Sequence, residues 1–148
     1  MNPVVVIPTF VSTRSQREGG SIITTYDHPT PLSQEGDLPR CLESLTKVEG
    51  IGQIIVVVAA EPSIAHKAAQ KTQAIAARFP ELHIAVIGAA EAGLVQQRME
   101  QLGLGKLTRE VGLSGYGAVR NLGLVVACAL GFDAGVFLDA DEAGTDAD

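Results

Sequence analysis

Residues 54–58 have the sequence IIVVV, five consecutive β-branched side chains. β-branched residues favour strands, and a run that is apolar at every position is typical of a strand covered on both faces. Three further short apolar runs have a similar character: PVVVI at 3–7, HIAVI at 83–87 and GVFL at 135–138. The sequence therefore predicts a buried strand at each of these four positions, with Pro8 ending the first.

Between these runs, apolar residues recur with helical spacing. Four helices are predicted: one capped by Asp37, one capped by Ser63 and stopped by Pro80, a short one over 92–102 and one over 115–130. Strands that alternate with helices of this length imply a mostly parallel sheet with right-handed crossovers. We therefore expect an α/β protein with a Rossmann-like, three-layer α/β/α architecture.

Residues 9–36 interrupt this alternation, because they consist largely of polar and turn-forming residues. An irregular segment of that length is unusual in a compact domain. We interpret it as a long loop insertion in a single domain that spans residues 1–148.

Composition and charge exclude several classes of protein. The net charge is −6 and no basic stripe is present, which argues against a nucleic-acid surface. No apolar run reaches the length of about 18 residues that crosses a bilayer, so no transmembrane segment is predicted. No basic region precedes the first apolar segment, as a signal peptide would require. The expected location is the cytoplasm or the cytoplasmic face of a membrane.

Two carboxylates, Asp139 and Asp141, follow the last predicted strand. Carboxylates are hard oxygen ligands that suit Mg²⁺ or Mn²⁺. In open α/β sheets, ligands bind beyond the carboxyl ends of the strands, which is where this pair is expected. The alternative is that both acids only solvate the strand end and cap the segment that follows.

The second candidate feature is the glycine-rich start of the last helix, GYGAVRNLG at 115–123. Glycines at a helix start leave backbone N–H groups open to an anion, and the helix dipole adds to the attraction. Arg120 lies about one turn into the helix and could reach a phosphate. The alternative is a tightly packed helix start with a surface arginine.

Four segments together resemble the family 2 glycosyltransferases, which use nucleotide-diphosphate sugars and have the GT-A fold. They are PVVVIPTF at 3–10, LPRCLESL at 38–45, QIIVVV at 53–58 and the stretch 115–142. The last is the most specific, because the family typically shows a glycine-rich helix with an Arg-Asn pair and then a strand ending in D-x-D.

The resemblance implies a role for each matching residue. Asp139 and Asp141 would hold Mn²⁺ or Mg²⁺ on the donor diphosphate. Arg120 would line the nucleotide pocket, with Gly117 and Asn121 beside it. Pro8 and Thr9 would form the loop beneath the base. The family's acids after the second strand are absent here, and Glu61 is the nearest substitute.

The implied function is metal-dependent transfer of a sugar from a UDP- or GDP-linked donor to a saccharide, lipid or protein acceptor, a hexosyltransferase-like activity. The family's acceptor half and catalytic base lie after D-x-D. We therefore expect the base beyond Asp148, a missing C-terminal part and little transfer by these residues alone; a homodimer is compatible with the sequence. The alternatives are a nucleotidyltransferase and a non-catalytic nucleotide-binding fragment.

Overall fold

The computed structural model describes residues 3–12 and 30–140. The described strands are β1 (Pro3–Ser12), β2 (Thr30–Pro31), β3 (Gln53–Ala60), β4 (His83–Ile87) and β5 (Ala134–Phe137). The described α-helices are α1 (Leu38–Leu45), α2 (Ala65–Ala76), α3 (Ala89–Gln101) and α4 (Tyr116–Ala129). Short 3₁₀ helices cover Pro62–Ile64 and Gly105–Glu110. Among these residues, no helix has the length and apolar character needed to cross a membrane.

All described strand pairs are parallel, with β1 at the centre of the sheet. β3 pairs along one side of β1, and β4 lies beyond it. On the other side, β5 pairs with residues 3–6 of β1 and β2 pairs with residues 11–12. The chain thus builds outward from β1 to β4 and then returns to place β5 on the opposite side. This reversal makes the space beyond the carboxyl ends of β1 and β5 a topological switch point.

Side chains on the two faces of the sheet pack against different helices, which gives three layers. Val6 and Val57 share a buried cluster with α3 and α4, whereas Ile7 and Val56 share one with α1 and α2. Neighbouring strand residues point to opposite faces, so an unbroken apolar run fills both cores at once. The predicted α/β fold with a parallel sheet is confirmed, and β3 has the two-faced burial expected from IIVVV.

β1 is longer than predicted, because it continues through Pro8 to Ser12. Backbone N–H and C=O groups alternate sides along a parallel strand. Leu138 N–H donates to Val6 O and Leu32 N–H donates to Ser12 O, so even-numbered residues of β1 face the side of β5 and β2. The nitrogen of Pro8 therefore points between those two strands, where its missing N–H costs no pairing with β3.

This extension corrects the predicted start of the long loop. Residues 9–12 belong to β1, and β2 adds a short parallel pair at the far end of the segment. The part of the predicted 9–36 insertion that covers residues 13–29 lies outside the described residues. The predicted helix cap at Ser63 is also corrected, because Ser63 lies within a 3₁₀ turn at Pro62–Ile64 and Ile64 is the N-cap of α2.

Candidate functional site

Three elements meet at the switch point: β1, β5 and the first turn of α4. Asp139 lies two residues after β5, Tyr116 is the first residue of α4, and Phe10 lies near the end of β1. The Tyr116 hydroxyl is 3.2 Å from Asp139 Oδ1, which places the start of α4 at the carboxyl edge of the sheet. The two candidate features predicted from the sequence, Asp139 and the glycine-rich helix start, therefore lie next to each other.

Arg120 and Asp139 are linked through the Tyr116 hydroxyl. Arg120 Nη1 lies 3.1 Å from that oxygen, and Asp139 Oδ1 lies 3.2 Å from it. A guanidinium can only donate hydrogen bonds and a carboxylate can only accept them. The phenol oxygen therefore accepts from Arg120, and its proton points to Asp139. Consecutive bonds of this kind polarise and strengthen one another.

Two aromatic rings lie close to the arginine. Arg120 Cζ lies 4.4 Å from the ring centroid of Phe137 and 5.5 Å from that of Tyr116. The Tyr116 ring in turn stacks on Phe10, with centroids 5.7 Å apart and an interplanar angle of 26°. Cation–π contacts at half-buried sites stabilise by about 1 kcal/mol each. These contacts favour a position of the guanidinium at the end of the sheet.

The remaining residues predicted on and near α4 are placed around this cluster. Asn121 Nδ2 donates to Glu110 O at 2.8 Å, so its amide ties α4 to the preceding 3₁₀ helix. Gly117 is exposed in the first turn of α4, and an added Cβ would meet nothing within 4 Å. Glu61 is exposed directly after β3, at the same edge of the sheet.

The structure corrects the expected loop at Pro8 and Thr9. Both residues lie within β1 and are buried, because β3 extends to Ala60 and keeps this part of β1 paired. Thr9 Oγ1 donates to Val57 O at 3.2 Å. The hydroxyl of Thr9 therefore bonds to the backbone of β3.

Asp141, the second predicted metal ligand, lies outside the described residues. Within the described part of the chain, no group of three His, Cys, Asp or Glu side chains could hold a metal ion. Mg²⁺ commonly binds through one or two carboxylates together with substrate phosphates, and retains several waters. Asp139 is exposed, and its carboxylate is an oxygen ligand of the type that such a cation takes.

A separate groove of ≈ 300 Å³ lies between α3, the 3₁₀ helix at Gly105–Glu110 and the loop before α4. Gln96 lines it, and its Nε2 donates to Thr108 O at 3.3 Å and to Val111 O at 2.8 Å. The described lining ends at Ser114, two residues before Tyr116, and does not include Arg120 or Asp139. The groove and the arginine cluster are therefore distinct surfaces.

Sequence reasoning missed the three aromatic residues of the site, Phe10, Tyr116 and Phe137. One signal was available for Tyr116, because residues four apart on a helix are neighbours and Arg120 is four positions later. Another was the scarcity of aromatics, since the chain has two tyrosines, four phenylalanines and no tryptophan. The contacts to Phe10 and Phe137 join distant parts of the chain and have no local pattern.

Comparisons with protein-family models, with curated proteins and with solved structures found no significant match for this chain.

Proposed function

We propose that this protein binds a nucleotide-diphosphate sugar together with Mn²⁺ or Mg²⁺ and acts as a glycosyltransferase. The observation that carries the proposal is the position of Asp139 at the switch point, joined through Tyr116 to Arg120. A metal-bound diphosphate needs an oxygen ligand for the cation and a cationic donor for the phosphates, and here the two lie one side chain apart.

The proposed roles follow from the chemistry of each group. Asp139 contributes carboxylate oxygens to the cation, together with Asp141. Arg120 presents its remaining N–H groups to the diphosphate, and Gly117 lets the ligand approach the first turn of α4 closely. A bound cation would stabilise the charge that develops on the leaving diphosphate. The group that activates the acceptor is not assigned.

The test is calorimetric titration of the protein with UDP and GDP, in Mn²⁺ or Mg²⁺ and again in EDTA. We expect one of the two nucleotides to bind with the metal and to lose its affinity in EDTA. Equal affinity in EDTA would contradict the metal role, and no binding of either nucleotide under any condition would contradict the proposal. Release of UDP or GDP from the corresponding sugar donor would then test transfer.

Two substitutions separate the proposed ligand role from a structural one. Asp139→Asn keeps an oxygen that can accept from Tyr116 but removes the charge, so we expect metal-dependent binding to be lost while the fold is retained. Asp133→Asn makes the same charge change just before the start of β5, at the opposite edge of the sheet. Binding should survive in that control. Equal effects of the two substitutions would indicate only a loss of overall charge.

A further inference from the structure

Three leucines are exposed on one short turn that follows α3. Leu102, Leu104 and Leu107 leave 58%, 43% and 50% of their surface accessible. The turn is compact, because Leu104 N–H donates to Met99 O at 2.8 Å and Leu107 N–H donates to Leu104 O at 2.9 Å. The three side chains are therefore carried close together, and we call residues 102–107 the leucine turn.

Packing inside the protein does not account for these leucines. α3 joins the core through Ala92, Val95 and Met99, and the leucine turn begins after the last of them. Neither of the described core clusters includes a leucine of the turn. Single exposed leucines are normal on a protein surface, whereas a group of them marks a surface that contacts an apolar partner.

The leucine turn is also accompanied by basic side chains. Lys106 is the one charged residue within it, and Arg98 and Arg109 are exposed within four residues on either side. Glu100 and Glu110 offset only part of this charge. Because the chain as a whole has a net charge of −6, the positive balance around the turn runs against that of the protein. The occupant of this surface should therefore be both apolar and anionic.

We propose that the leucine turn is a docking surface for a lipid bilayer that contains anionic lipids. Exposed aliphatic side chains enter the boundary between headgroups and acyl chains, and basic side chains beside them attract anionic headgroups. Three leucines and three basic residues give a peripheral, reversible attachment. The inference does not depend on the proposed function, since none of these residues belongs to the cluster around Arg120.

Two other occupants fit this surface less well. A second copy docked through the same surface would bring Arg98, Lys106 and Arg109 close to their own equivalents, and like charges repel. Protein partners are most often anchored by residues such as tryptophan and tyrosine, and leucine is under-represented among such anchors. The leucine turn contains no aromatic residue. A bilayer requires only aliphatic surface and positive charge, which are what the turn offers.

Vesicle flotation tests the proposal. The protein is mixed with vesicles of phosphatidylcholine alone, or of phosphatidylcholine with phosphatidylglycerol. We expect it to float with the mixed vesicles at low salt and to bind the neutral vesicles much less, because only the anionic surface attracts the basic side chains. Binding should weaken as salt screens this attraction. No binding to the mixed vesicles, or equal binding to both kinds, would overturn the proposal.

A triple variant tests the apolar contribution. Leu102→Gln, Leu104→Gln and Leu107→Gln together keep every charge and remove the aliphatic surface, so affinity for the mixed vesicles should fall at least about tenfold. These side chains are exposed, so a thermal melt should show the fold retained. The control is Leu124→Gln with Leu130→Gln, two exposed leucines elsewhere on the surface. An equal loss of binding in the control would overturn the assignment to the leucine turn.

A double variant tests the charge without altering the leucines. Lys106→Gln with Arg109→Gln should weaken binding to the mixed vesicles by about fivefold per charge and reduce its salt dependence. The control is Lys47→Gln with Lys67→Gln, which removes two exposed lysines elsewhere. Equal weakening in the two double variants would indicate attraction by basic residues in general and would contradict a specific docking surface.

Sedimentation velocity without vesicles tests the competing occupant. We expect the unmodified protein and the triple leucine variant to have the same oligomeric state, because a bilayer rather than a second copy covers the turn. An oligomer that dissociates in the triple leucine variant would assign the surface to a second copy and overturn the proposal.

Discussion

At the scale of single residues, the site depends on which polar groups are already engaged by the fold. Thr9 and Thr72 are the described buried polar residues, at 8% and 3% exposure. Each hydroxyl donates to a backbone carbonyl, Val57 O for Thr9 and Ala68 O for Thr72. A buried hydroxyl with a partner in the fold contributes to stability and is poorly placed to serve a ligand.

Thr9→Val should therefore affect stability and not binding. Losing the bond to Val57 O should lower the free energy of unfolding by about 1 kcal/mol. Metal-dependent nucleotide affinity should be unchanged, in contrast to the role implied for Thr9 by the family resemblance. Urea denaturation and calorimetry measure the two quantities, and Thr72→Val, on α2, is the matched control. Lost nucleotide affinity with unchanged stability would place the Thr9 hydroxyl on the ligand.

At the scale of elements, two glycines of α4 have opposite surroundings. A Cβ on Gly123 would lie 2.6 Å from Val6 Cγ1 and 3.6 Å from Val57 Cγ2, because the helix packs closely on β1 and β3. A Cβ on Gly117 would meet nothing within 4 Å. The same substitution thus tests close packing at one position and helix propensity at the other.

Gly123→Ala should lower the free energy of unfolding by about 1–3 kcal/mol, since the cost of overpacking exceeds the gain in helix propensity. Gly117→Ala should raise it by up to about 1 kcal/mol, since only propensity changes. Chemical denaturation of both variants gives the comparison. A Gly123→Ala variant with a higher free energy of unfolding than the unmodified protein would contradict this expectation. It would mean that Val6 moves away from the added methyl group at little cost.

Gly117→Ala also tests the proposed approach of a diphosphate to α4. If the ligand contacts the backbone of the first turn, the added methyl group should weaken nucleotide binding even though the fold becomes more stable. Calorimetry on the same protein sample decides this. Unchanged affinity would place the diphosphate away from Gly117 and leave Arg120 as its contact on this helix.

The sequence predicts the bounds of some strands better than those of others. β3 and β4 were predicted with nearly correct bounds, because an unbroken apolar run records burial on both faces locally. The end of β1 is not predicted correctly. Proline ends a strand in most settings, and it is tolerated only where its nitrogen does not face a paired neighbouring strand. That depends on β5 and β2 leaving a space beside it, which is a property of the assembled sheet.

At the scale of the whole molecule, topology brings the site together. Asp139 and Arg120 could be proposed from sequence because each belongs to a short motif next to an apolar element. Their link through Tyr116 could not, since it requires α4 to start where β5 ends. The aromatic support has the same origin: Phe10 and Phe137 come from strands that become neighbours of α4 only in the folded sheet.

Stability should also depend on pH through Lys71, which connects α2 to β2. Its Nζ donates to Pro31 O at 3.2 Å. Burial lowers the pKa of Lys71 from its ordinary value of 10.5, and the charge of Glu35 opposes part of that shift. The charged lysine is therefore disfavoured in the folded state. Below its folded-state pKa, Lys71 is charged in both the folded and the unfolded protein. Burial of the charge then lowers the free energy of unfolding by its full amount.

As pH rises from that lowered pKa towards 10.5, the unfolded chain binds more protons than the folded one, so stability rises. Lys71→Met removes the titrating group. The unfolding free energy of the unmodified protein minus that of the variant should therefore increase as pH approaches 10.5. Urea denaturation at a series of pH values measures this difference, with Lys67→Met, an exposed lysine of the same helix, as the reference substitution. A difference for Lys71→Met that stays constant or falls with pH would contradict the destabilising burial of this charge.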